Sequence, residues 1–138
     1  IGSKIETYRQ AVQEAGHSHS QAESCLQNIG ALRQIFVTEE SGWKQQAIEA
    51  ATGWHIRQTK QLSSPLGNCE HVSQEEIAQY VQTRIIAGPV DVVVERLHEL
   101  RAMGVGELLC WFKWGEISHE QAIKSMDQFS EYVMPRFR

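Results

Sequence analysis

Apolar positions in this chain change period several times, and each change marks an element. Ile5, Tyr8, Val12 and Ala15 recur at helical spacing. They predict an amphipathic helix over 3–16, with Gly16 as its stop. His17 to Ser24 is polar throughout and reads as a loop. Leu32 to Thr38 is dense in apolar and β-branched residues and reads as a strand. Thr38 can then cap a long helix running to about residue 60, with Trp43, Ala47, Ala50, Ala51 and Trp54 as its apolar positions.

The second half is clearer. Residues 61–72 carry Pro, Gly, Ser and Asn and read as a loop. Ser73 and Glu76 have capping-box spacing, so a short helix with Ile77, Tyr80 and Val81 should follow. Arg84 to Ala87 is a short strand, and Gly88-Pro89 is its turn. Pro89 suits the first helical position, where its missing N–H costs nothing. Val90, Val93, Val94, Leu97 and Leu100 then form one stripe, opposite Asp91, Glu95, Arg96, Glu99 and Arg101. Gly104 ends that helix. Glu107 to Lys113 is an unbroken apolar run, the pattern of a strand buried on both faces. Ser118 and Gln121 form a second capping box. The final helix should bury Ala122, Ile123, Met126, Phe129 and Val133, and stop at Pro135. Residues 84–113 thus have the size of a βαβ crossover between parallel strands. The fold class is α/β, with two or three parallel strands.

Composition adds exclusions. The chain has 138 residues, 22% of them charged, and a formal net charge of -4. An acidic balance with scattered basic residues argues against a nucleic-acid partner. No apolar run approaches the ~20 residues that span a bilayer. Cys25, Cys69 and Cys110 match no zinc spacing and read as reduced thiols of a cytoplasmic protein. The opening Ile1-Gly2-Ser3-Lys4 has no secretory pattern and no methionine. It leads to the expectation of a piece of a longer reading frame.

One ordered set of short motifs spans 84–138: Ala87-Gly88-Pro89, Gly104-Val105, Cys110-Trp111-Phe112, Ser125-Met126 and Val133-Met134-Pro135. Together they resemble the C-terminal end of the bacterial-luciferase-like family of flavin-dependent monooxygenases. Tyr8-Arg9 with Gly16, and the segment Leu32 to Glu40, resemble earlier family elements more loosely. One departure stands out. Ala87 occupies the position where the family has glycine after the strand, and Gly88 comes one residue later.

The resemblance implies a partial (β/α)8 TIM barrel: residues 1–138 as the C-terminal portion of one barrel domain, with its last two or three parallel strands and flanking helices. A complete barrel takes about 250 residues. It also implies FMN, or a deazaflavin analogue, in the full-length parent, with O2 and a small organic substrate. The isolated chain is expected to hold no flavin tightly and to turn over no substrate. The other reading is a non-catalytic partial barrel that self-associates, because unpaired strands and uncovered apolar faces are sticky. Either way a homo-oligomer is expected.

Barrel chemistry sits at the carboxyl ends of strands, here Thr38 to Glu40, Ala87 to Pro89 and Lys113 to Glu116. Trp111 and Trp114 could pack against a flavin ring, or serve as core and surface packing. Gly88, just before a helix N-terminus, is a candidate cofactor contact, although Asp91 and Glu95 would oppose a phosphate. The loop from Gln61 to Val72 lies where the family has a lid. His17 and His19 do not share a helix face and lack further ligands for a metal. His71, beside Cys69 and Glu70, is the histidine most suited to acid–base work, and His119 should face solvent. Cys110, between Leu109 and Trp111, should be a buried inert thiol. No catalytic residue is assigned.

Overall fold

The computed structural model describes residues 2–63 and 72–137. The chain enters through helix α1 (Gly2–Glu14), which buries Ile5 and Val12. Gly16 follows with φ +70°, a left-handed stop. Tyr8 departs from the predicted stripe and is 43% exposed. The segment expected to be a loop contains a second helix, α2 (His19–Gln27). Its signal was present: Ser18 and Gln21 form a capping box. The helix buries no residue fully, so it has no apolar stripe for periodicity to find.

Strand β1 (Gly30–Val37) starts two residues before the expected strand and occupies the centre of the sheet. Helix α3 (Ser41–Ser63) follows, three residues beyond Thr38. Thr38 is therefore not its cap. The Thr38 hydroxyl instead accepts the Glu40 N–H at 3.1 Å in a local turn. Helix α4 (Gln74–Arg84) carries the predicted Ser73–Glu76 box. Strand β2 (Ile85–Gly88) leads to helix α5 (Val90–Ala102), which buries Val93, Leu97 and Leu100. Pro89 is the N-cap of α5, one position before the expected first turn. Strand β3 (Glu107–Trp111) precedes helix α6 (His119–Gln128), capped by Ser118 and Gln121. The chain continues through a π-helical turn (Phe129–Val133) and a 3-10 turn (Met134–Phe137). Pro135 does not stop it, because a 3-10 turn tolerates the missing N–H near its start.

The three strands are parallel in the order β2-β1-β3. The molecule is thus α/β with a small parallel sheet and much helix. Strands β2 and β3 are joined through α5 but are not neighbours, since β1 lies between them. A (β/α)8 barrel places consecutive strands side by side, so this order differs from the one the barrel expectation carries. Parallel strands leave sheet register to nonlocal contacts, which local periodicity does not encode.

Alternation along β1 divides the core into two layers. Ala31, Ile35 and Val37 face α1, α5 and the C-terminal turns. Phe36 faces α3 with Ala47 and Ala51, and also meets Ile85, Trp114, Ile117 and Ala122. Strand β3 is not buried on both faces as expected. It lies at the sheet edge, and Leu109 is 57% exposed. Ile123 and Met126 of α6 are likewise exposed, and that helix instead buries Ala122 and Ser125. At the start of β3, Gly106 lets two backbones cross: a Cβ there would lie 1.8 Å from the Gln27 carbonyl oxygen.

Candidate functional site

The carboxyl ends of the three strands gather most of the predicted positions. Strand β1 extends beyond β3, whose last partner is Trp111 opposite Gln34. The Val37 N–H therefore has no β3 carbonyl to meet. Ser125 of α6, 1% exposed, fills that place, its Oγ accepting Val37 N–H at 2.8 Å. On the other side, Thr38 N–H donates to the Gly88 carbonyl at 2.9 Å. Lys124, beside Ser125, lies 3.3 Å from a Glu40 carboxylate oxygen and 4.6 Å from the Trp43 ring centroid. The mouth between β1 and β3 is where a parallel α/β sheet commonly binds a ligand. Here α6 and the Trp114–Ile117 segment occupy it.

The predicted tryptophans separate in role. Trp114 is 2% exposed and its indole N–H donates to the Ala47 carbonyl at 2.9 Å. Its ring packs edge-on against Phe36, centroids 6.3 Å apart. Trp111 is half-buried and meets Trp54 edge-on at 5.0 Å and Trp114 at 6.4 Å. Trp114 is held as core packing against α3, and Trp111 packs in part against Trp54 of α3 and stays half-buried. Gly88 is buried with φ +146°, a conformation that favours glycine. A Cβ there would come within 3.8 Å of Lys44 Nζ. Asp91 lies in the first turn of α5, next to any anion placed at that helix end. Trp114 is therefore closed to a flavin ring, and Asp91 opposes a phosphate beside Gly88. Among the described residues, no family-type flavin site is assembled.

No family model matches this chain, and no curated protein or solved structure does.

Two large hollows among the described residues lie away from the strand ends. The larger, about 830 Å³, runs along the flank of β3 between α5 and the C-terminal turns. Leu97, Leu108, Cys110, Phe112, Phe129 and Phe137 contribute to its lining. Cys110 is a half-buried free thiol, and burial pushes its pKa up, which makes it a poor nucleophile. The second, about 650 Å³, is a polar cleft lined by Lys4, Arg33, His55, Tyr80 and Arg84 among others. The His55 and Tyr80 rings stack there at 3.9 Å, and the Tyr80 hydroxyl donates to Gln34 Oε1. Burial raises the Tyr80 pKa, offset in part by that hydrogen bond. The Gln34 amide nitrogen is buried and has no partner among the described residues.

Other predicted positions are dispersed. His17 and His19 are exposed, and His19 lies 3.9 Å from Glu23. His119 faces solvent on the first turn of α6. Cys69, Glu70 and His71, with most of the lid-like loop, lie outside the described residues. Sequence reasoning missed Ser125 as the cap on β1 and Arg33 as a buried cation. The first was visible only as part of a family-like Ser-Met pair. The second had no signal, since an arginine inside a strand pattern normally points to solvent.

Proposed function

We propose that this chain is the closing, C-terminal segment of a flavin-dependent monooxygenase of the luciferase-like family. The parent would use O2 and a reduced flavin, FMN or a deazaflavin, to oxygenate a small organic substrate in the cytoplasm. The flavin ring would be held by residues outside this segment, since Trp114 is spent on packing and Trp111 is in part. The segment's own work is to finish the sheet, cover one flank of the domain and keep water from its interior.

The open flank of β3 is the observation that carries this reading. Leu32 and Leu109 are register partners on β1 and β3, and both are largely exposed, at 48% and 57%. On the opposite sheet face, the 830 Å³ apolar hollow runs beside the same strand. An apolar sheet edge with uncovered faces is the seam of a larger assembly. The motif resemblance identifies the occupant as earlier strands of the same domain. In its finer form the proposal is a closed (β/α)8 barrel, which needs β2 rather than β1 between its neighbours. The strand order found for this segment alone does not favour that form over a larger open sheet.

The same flank supports a second reading, in which another copy of the chain covers it and the protein is a self-associating, non-catalytic module. The complete native reading frame separates the two. A product well over twice 15.7 kDa that binds FMN supports the enzyme reading. A product near that mass which dimerises, and loses dimerisation on Leu109→Lys, rejects it in favour of self-association.

A further inference from the structure

Arg33 is the most unusual charged group in the molecule. It sits on the central strand, is 4% exposed, and has no carboxylate within ion-pair distance among the described residues. Among the described residues, its side chain makes one hydrogen bond, from Nη1 to the carbonyl of its own neighbour Leu32, at 2.7 Å. Buried charges in proteins are almost always paired, because removing an ion from water without a counter-charge is very costly. Other cations surround this one. Burial lowers the Arg33 pKa first, and the nearby charges of Arg84 and Arg96 lower it further.

Arg33 lines a small hollow of about 260 Å³ together with Arg96, Gln82, Thr83 and Glu99. Arg96 is held in place there. It donates to Glu99 at 2.7 Å and to the Gln82 carbonyl at 2.7 Å. The Glu99 carboxylate is therefore already engaged by Arg96, and it makes no ion pair with Arg33. Arg84, at the end of α4, adds a further positive charge from the adjoining cleft, which Arg33 also lines. The hollow itself holds the Arg33 and Arg96 guanidinium groups and one committed carboxylate, Glu99, while Arg84 and Glu76 line the adjoining cleft.

We propose that the hollow between Arg33 and Arg96 is a binding site for a small oxyanion of the phosphate type. A guanidinium presents a planar fork of N–H donors that matches phosphate oxygens, and such charge-assisted pairs are strong in a partly dry site. The anion supplies the counter-charge that the chain itself does not bring to Arg33. The site is on the β2 side of β1, away from the β3 flank, and does not rest on the flavin-enzyme reading.

Inorganic phosphate, titrated into the purified chain against chloride at matched ionic strength, tests the site by calorimetry and thermal unfolding. The expected result is saturable binding with a rise in Tm. Arg96→Gln, at a half-buried position, should keep the fold and weaken binding at least fivefold. Arg33→Lys should do the same by removing the fork while keeping the charge. Glycerol phosphate distinguishes the sources: tighter binding than inorganic phosphate assigns the anion to a phosphomonoester, and equal binding assigns it to the free ion. No saturable phosphate effect, or binding in both variants as tight as in the unmodified chain, overturns the proposal and leaves the counter-charge to a carboxylate from another protein segment.

Discussion

Strands β2 and β3 make the same parallel pairing with β1 and are covered in opposite ways. Ile85 and Ile86 of β2 are 6% and 4% exposed, one packed toward α3 and α4, the other toward α5. No residue of β3 is fully buried. The difference lies in what covers each strand, not in the strand sequence, since Leu108-Leu109-Cys110-Trp111 is as apolar as Ile85-Ile86-Ala87. Hydrophobicity sets how much surface a strand wants to bury. Neighbouring elements set how much it does bury.

Four measurements would break or sharpen that contrast. The largest effect is all-or-none. Leu32→Cys with Leu109→Cys, in a background where Cys25, Cys69 and Cys110 are serine, should form a disulfide under mild oxidation. Register partners on adjacent strands lie about 5 Å apart, inside the range of about 4.4–6.8 Å that a disulfide bridges. With β2 between the two strands they would be about 10 Å apart. A failure to crosslink, read by mass spectrometry, would favour the consecutive strand order of a barrel.

Next in size is the cost of truncating each flank. Ile86→Ala should destabilise by about 2–5 kcal/mol, the usual cost of a large-to-small change in a core. Leu109→Ala should stay within about 0.5 kcal/mol, as an exposed site does. Urea denaturation of both variants gives the comparison, and equal costs would mean that β3 is covered in solution.

Ser125→Ala removes the acceptor of the Val37 N–H and leaves that donor buried. A loss of about 1–3 kcal/mol is expected. Hydrogen exchange at Val37 should also speed up. Unchanged protection there would mean that another group caps the end of β1.

The smallest effect concerns pH. The Ser73 backbone and hydroxyl hold the Glu76 carboxyl below its ordinary range, the backbone hydrogen bond contributing most. A carboxylate with a depressed folded pKa stabilises above its unfolded pKa, and that contribution is lost as pH falls through the folded value. Glu76→Gln should therefore lower stability slightly at neutral pH and converge with the unmodified chain in acid, which flattens the acid limb of the stability profile. A larger change in acid than at neutral pH would contradict this assignment.

Helices were legible where an apolar stripe and a cap coincided, as in Ser73 before α4 and Ser118 before α6. Helix α2 was not, because it rests on its capping box alone. Thr38 shows the converse: a capping residue type in a plausible place that serves a local turn instead. Of the candidate site, the ends of β1 and β2 fall within one residue of the expected positions, while β3 ends at Trp111, two residues before the expected Lys113. The chemistry attached to them was not readable, because an indole in a strand looks the same in sequence whether it meets a ligand or, like Trp114, the carbonyl of Ala47.

The sequence by itself determined the parallel α/β class, the strand–helix alternation from β1 onward and the caps at Ser73 and Ser118. Those depend on periodicity and on contacts within a few residues. Tertiary structure alone decided that β1 is central, that Ser125 caps it across 88 positions of chain, that Trp114 is buried, and that Arg33 is sealed among other cations. Each depends on which distant segment arrives beside a residue. In parallel sheets every strand contact is nonlocal, so no local pattern records it.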